Sequence, residues 1–243
     1  MFIPRYARKV LVISSGVLLA LVLMASGAVF AFNPIVIADL CPQCFGFHSI
    51  GNGIYVQGGA SASQGRITLE VRQASQQVQD FFGNSLPPVR VLICSTEPCY
   101  HRAEGRGGIS KAVSWWDRAL IVSPRGQNVT IITHEMTHME FRHLLGPTAY
   151  AKVPSWFDEG LAVYVSDDRR YLAPIGLQTR CLVSGEESLP TSDWWAVMTR
   201  NPARAYALAA CRVSTWMDKN GGHNGLLELI GKLRDGREFR FAL

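Results

Sequence analysis

Residues 129–145, Val129-Thr130-Ile131-Ile132-Thr133-His134-Glu135-Met136-Thr137-His138-Met139-Glu140-Phe141-Arg142-His143-Leu144-Leu145, decide how the rest of the chain is read. Apolar residues recur through this stretch at helical spacing, and Gly146-Pro147 follows as a stop signal. On a helix, His134 and His138 stand one turn apart on the same face, so both imidazoles can reach one cation. Glu135 lies about 100° further round, beside such a cation but not on it. Two histidines and a glutamate on a solvated face would be a chance pattern. Here Val129, Ile131, Ile132, Met136 and Met139 predict a buried helix, and buried imidazoles and carboxylates need partners. A metal ion supplies one.

A catalytic metal usually has three protein ligands and one open position. The third candidate stands about twenty residues on, in Pro154-Ser155-Trp156-Phe157-Asp158-Glu159-Gly160-Leu161-Ala162. Proline and Ser155, a candidate N-cap, open a second helix of periodic apolar residues (Trp156, Leu161, Val163, Val165). The short loop before it allows this helix to pack beside the first. Glu159 falls in its middle, where a solvent-facing carboxylate is the alternative reading. His143, near the end of the first helix, suits the favourable position of a cation close to a helix C-terminus.

H-E-x-x-H followed by W-x-x-E-G-x-A resembles the gluzincin-type zinc metallopeptidases, and more narrowly a set of small bacterial gluzincin-like peptidase domains. The resemblance spans roughly residues 110–240. It implies an α+β, zincin-like domain, with a small sheet before the metal helices. His134, His138 and Glu159 would then bind Zn²⁺, and Glu135 would act as general base on a zinc-bound water. The metzincin pattern is excluded, because Phe141 and Leu144 stand where it needs glycine and histidine. Tyr206 resembles the tyrosine opening the late helix of the small domains and is the candidate oxyanion stabiliser, with His223 as rival and Tyr164 third. Val163 occupies the position where thermolysin-like enzymes carry an aspartate that orients the first histidine, so another group must serve. An edge strand within Ser114–Val122 would pair with a peptide substrate, and Trp115 and Trp116 are either its pocket walls or core residues. Asn128-Val129-Thr130 matches a glycosylation sequon, but Asn128 abuts the metal helix and is read as its N-cap.

The chain has 243 residues, 48% hydrophobic and 18% charged, enough for one well-buried core. Its net charge of +5 is uneven: Arg5, Arg8 and Lys9 precede Val10–Phe32, which carries no charge, and residues 1–32 contain no acid. No basic tract with interleaved aromatics appears, so nucleic acid is not an expected partner. The uncharged run is long enough to span a bilayer, and the basic residues before it favour an exported C-terminal part. Residues 1–32 are therefore expected to be a membrane anchor or a cleaved signal segment, 33–60, rich in Gly, Pro and Asn, an extended linker with room for a short hairpin, and 61–243 the peptidase domain. Periplasm is the preferred compartment.

All six cysteines follow the apolar run, as in an exported, disulfide-bonded domain. Short-loop closure favours Cys41–Cys44 and Cys94–Cys99, leaving Cys181–Cys211. Cys41-Pro42-Gln43-Cys44 has a rival redox reading, which needs a strand before it and a helix after it. Elsewhere the pattern predicts a helix over Ile67–Phe82, with Leu69, Val71, Ala74, Val78, Phe81 and Phe82 on its buried face, and a strand over Val89–Ile93. Residues 94–111 read as loop and Ala112–Val122 as a strand pair or one edge strand. Further helices are expected over Ala203–Lys219 and Leu226–Asp235. The expected function is zinc-dependent hydrolysis of peptide bonds. The alternatives are a membrane-tethered zinc- or peptide-binding module without catalysis, and a thiol–disulfide protein built on Cys41 and Cys44.

Overall fold

Val91-Leu92-Ile93 and Ala119-Leu120-Ile121-Val122 are unbroken apolar runs of the kind that form strands buried on both faces. In the computed structural model, which describes residues 34–58, 63–83, 88–104, 112–115, 118–177, 179–183 and 194–239, both lie at the heart of one mixed sheet. The strands are β1 (Phe47–Gly51), β2 (Ile54–Gln57), β3 (Arg90–Ile93), β4 (Ala112–Trp115) and β5 (Ala119–Val122), in the order β1-β2-β3-β5-β4. The two outer pairs are antiparallel, whereas β3 runs parallel to both β2 and β5.

Alternation along the central strands divides the core in two. Leu92 and Ile121 face α1 (Pro34–Leu40) and a helix over Glu97–Glu104, α3 in chain order, where they meet Ile35, Ala38, Phe47 and Tyr100. Val91, Ile93, Leu120 and Val122 face the larger helical layer. That layer holds α2 (Gln64–Phe82), α4 (Val129–Tyr150), α5 (Ser155–Val165), α6 (Trp194–Arg200), α7 (Pro202–Lys219) and α8 (His223–Arg234). The α+β class expected from the sequence is therefore present.

Several expectations need correction. Residues 33–60 are not simply a linker, because α1, a 3-10 turn over Pro42–Phe45 and the β1–β2 hairpin occupy most of them. The Gly and Asn residues that suggested a linker make the hairpin turn: Asn52 and Gly53 have φ of 51° and 73°, the left-handed pair that a tight hairpin needs. Within the expected loop 94–111 lies α3, whose start is marked by Thr96 Oγ1 accepting from the Cys99 amide at 3.3 Å. On α2, Ile67, Val71, Ala74, Val78 and Phe82 are buried as periodicity requires, but Leu69 points outward and is 52% exposed. Helix α6 was not foreseen. The strand pair over 112–122 is present, but β5 is bonded on both sides, so only β4 offers a sheet edge there.

Disulfides join Cys41–Cys44, Cys94–Cys99 and Cys181–Cys211, the pairing expected from loop length. Three disulfides suit an oxidising compartment outside the cytoplasm. Cys44 is followed by β1 and not by a helix, so the redox motif lacks its structural context. Residues 1–32, expected to form an anchor or signal segment, lie outside the described residues, as does Trp116. Among the described residues, no helix is long and apolar enough to cross a membrane.

Candidate metal centre

Helix α4 starts at Asn128, whose side-chain oxygen accepts from the Ile131 amide at 3.0 Å, so the residue acts as a cap. Ile132, Met136, Met139 and Phe141 bury the helix, and the 3.6-residue repeat leaves His134 and His138 together on one flank. The helix breaks at Gly146, which has φ 71° and ψ 165°, and a last turn runs to Tyr150. Helix α5 follows Pro154, which is in an extended conformation and is itself the cap residue; Ser155 is the first helical residue and makes no capping bond. Phe157 ties the helices together, with its ring centroid 6.1 Å from that of Phe141 on α4 and 5.9 Å from that of Trp216 on α7.

This packing carries Glu159 to the two imidazoles. His134 Nε2 and His138 Nε2 are 3.2 Å apart, and Glu159 Oε2 lies 3.3 Å from the first and 3.6 Å from the second. A cation about 2.0–2.2 Å from three donors at tetrahedral angles needs those donors about 3.4 Å apart. The triangle meets that requirement closely. Glu159 Oε2 is also buried without a well-aligned hydrogen bond, a costly state that a cation would relieve. Two imidazoles and a carboxylate are a donor set for a first-row divalent ion, so His134, His138 and Glu159 form a group that could bind a metal.

The charges around the triangle are strongly coupled. Burial alone would lower the pKa of His138, but the neighbouring Asp158 and Glu159 carboxylates outweigh it and hold the imidazolium well above its usual range. Burial likewise opposes ionisation of Glu159, yet His138 and His134 keep its carboxyl well below the usual range. For Glu135 the balance goes the other way. Burial raises its pKa, His138 and His134 only partly offset this, and Glu159 and Asp158 add to the rise. Glu135 thus stands within electrostatic reach of the triangle, with an affinity for protons greater than that of an ordinary carboxylate.

Tyr206, on α7, is the one of the three candidate oxyanion stabilisers that the structure brings beside His134. Its ring lies 6.2 Å from that of His134, and its hydroxyl pKa is raised by burial and then by Glu159 and Glu135. Tyr171 stacks on it at 5.0 Å, with the Arg170 guanidinium over the far ring at 5.0 Å. His223 instead stacks on Phe81 at 5.9 Å, and Tyr164 meets Phe81 and Arg180. Val163 is buried against Leu172 and Ala210, which accounts for the missing aspartate at that position.

A carboxylate that the sequence reading did not single out, Asp158, stands one residue before the glutamate and faces the second histidine. Its Oδ1 comes within 3.0 Å of His138 Nδ1, without the alignment of a full hydrogen bond, and its Oδ2 accepts from the Tyr150 hydroxyl. Its partner is thus the second histidine, not the first. No spacing rule pointed to it, since adjacent residues on a helix diverge by about 100° and only the angle between α4 and α5 decides which histidine each meets. No protein-family model matches the chain, and no curated protein matches it.

Proposed function

We propose that the chain is a zinc-dependent peptidase of the gluzincin type, with a zincin-like fold, acting outside the cytoplasm. The observation that carries this reading is the donor triangle of His134, His138 and Glu159 with a proton-avid Glu135 coupled electrostatically to all three. A metal held only for structure has no need of such a base. Zinc at that triangle would acidify a water and polarise a substrate carbonyl. Glu135 takes the proton of the attacking water and returns it to the departing amine, and its raised pKa suits it to both transfers. Tyr206 donates its hydroxyl proton to the oxyanion, for which its protonated state near neutral pH is required. A peptide laid along β4 would gain main-chain hydrogen bonds at the only sheet edge near α4 among the described strands. The Val10–Phe32 run would tether or export the domain, with the periplasm as its compartment.

Peptide cleavage by the full chain, with and without a chelator, tests the assignment. Glu135→Gln is expected to keep its zinc and to lose about 10²–10⁴-fold in turnover. Cleavage that survives chelation, or a Glu135→Gln variant as fast as the parent, would overturn it. Zinc bound without cleavage of any peptide would favour the tethered binding module.

A further inference from the structure

Eight residues separate Arg142 from Tyr150, and in an unbroken helix that distance is about 12 Å. Yet Arg142 Nη2 lies 3.5 Å from the Tyr150 hydroxyl, and its guanidinium sits 4.9 Å from the centroid of the tyrosine ring. The left-handed φ of Gly146 turns the last part of α4 back on itself to make this contact. The same turn directs the Tyr150 O–H at Asp158 Oδ2, while Asp158 Oδ1 faces His138 Nδ1 at 3.0 Å. Four side chains therefore run in series from the surface to a metal ligand: Arg142, Tyr150, Asp158 and His138.

We propose that Tyr150, braced by Arg142, is a positioning residue for the metal centre, acting through Asp158 on His138. The inference rests on the reading that His134, His138 and Glu159 hold a metal. Nδ1 and Nε2 of an imidazole are coupled, because a carboxylate at one nitrogen keeps the proton there and leaves the lone pair of the other for the cation. Asp158 can do this only if its carboxylate is held facing the ring. One oxygen is occupied by Tyr150, which fixes the carboxylate's rotation and leaves the other for His138. The Tyr150 ring is in turn sandwiched, with Phe141 at 6.3 Å and Arg142 on the cation–π side. Arg142 and Tyr150 reach the donor triangle only through Asp158 and His138. Their effect is on how firmly the metal is held and not on the chemistry there.

The test is a zinc titration of the full chain against a chromophoric chelator, with the parent, Tyr150→Phe, Asp158→Ala and the double variant. Tyr150→Phe keeps the ring and removes only the hydroxyl. It is expected to weaken zinc binding by about tenfold, and Asp158→Ala by about 10–100-fold. Because Tyr150 acts through Asp158, the double variant should bind no more weakly than Asp158→Ala alone, a non-additivity that a purely structural role would not produce. Thermal melting of the metal-free Tyr150→Phe chain should stay close to that of the parent. If Asp158→Ala does not fold, Asp158→Asn takes its place in the cycle. Undiminished zinc affinity in Tyr150→Phe, or losses that add in the double variant, would overturn the proposal. A parent chain that binds no zinc would overturn the metal reading itself, which the first titration of the series decides.

Discussion

Replacing Gly160 by alanine adds one methyl group at the tightest interface of the site. A Cβ built there would stand 2.5 Å from the Ala209 carbonyl oxygen, 2.7 Å from its carbon and 2.8 Å from Val213 Cγ2, whereas ordinary contacts begin at 3.4 Å. Two of these three neighbours are backbone atoms of α7, so no rotamer change relieves the clash, and α5 must move away from α7 by about 1 Å. Overpacking of this kind costs about 1–3 kcal/mol, from which the better helix propensity of alanine removes up to about 1 kcal/mol. A remainder near the middle of that range, about 1–2 kcal/mol, is expected to lower the melting temperature of the metal-free chain by about 2–8 °C, at about 2–4 °C per kcal/mol for a chain of this size. The second consequence is local. Glu159 is the preceding residue, and its carboxylate closes two sides of the donor triangle. A 1 Å displacement takes those sides out of the range that a tetrahedral cation tolerates, so metal affinity should fall by about tenfold or more. Calorimetry of the metal-free chain and a competitive metal titration read the two effects separately. A Gly160→Ala chain that melts at or above the parent temperature would refute the packing argument, and unchanged metal affinity would refute the link to Glu159.

The metal-free chain should lose stability as pH rises above about 6.5. The His138 pKa is raised in the folded state above its unfolded value near 6.5, so its contribution is full below that value and fades as pH climbs through the folded pKa. The raised Glu135 pKa acts in the same direction at lower pH, whereas the lowered Glu159 pKa contributes stability above about pH 4.5 that is lost in acid. Metal affinity should show the opposite trend and strengthen with pH as the His138 proton is released. Urea melts with and without metal at three pH values check both, and a metal-free chain that gains stability steadily up to pH 9 would contradict the assignment. Removing the Cys181–Cys211 bridge, with both residues changed to serine, should cost about 3–4 kcal/mol by loop entropy, roughly twice the cost of removing Cys41–Cys44. Melting temperatures of the two double variants decide it, and equal losses would count against the loop-length argument.

Legibility varied with the range of the interactions involved. The metal helix, its Asn128 cap and the start of α5 follow from local pattern, because apolar periodicity and capping act within one or two turns. Glu159 was also legible, since a carboxylate in the middle of an apolar helix needs a partner and few were available. A short hairpin was legible in Gly51, Asn52 and Gly53, but helix α1 was not, and only the pairing of β2 with β3 makes the segment part of the sheet. Leu69 was misplaced because its apolar identity was counted and its angle was not: two residues after Ile67 it stands about 200° round the helix, on the face opposite the stripe of Ile67, Val71, Ala74, Val78 and Phe82. Tyr150 and Arg142 carried no signal at all. Their meeting depends on one left-handed glycine, and a straight α4 would have kept them two turns apart.

Three residues with no chemistry of their own therefore set the geometry of the centre. H-E-x-x-H can align two imidazoles on any helix, but a third ligand needs the chain to leave that helix, return and approach closely. Gly146 breaks α4 where its histidines have been delivered, and turns Tyr150 toward Asp158. Pro154, fixed in an extended conformation, ends the return loop and sets the first turn of α5. Gly160 lets α5 settle against α7 at a distance that no other residue would allow, and so determines the depth at which Glu159 enters and its distance from Tyr206. A helix pair with the same four polar residues but bulkier side chains at 146 and 160 would keep the motif and lose the triangle. In this chain the donors are specified by spacing along the helix, and their convergence by the places where a side chain is missing.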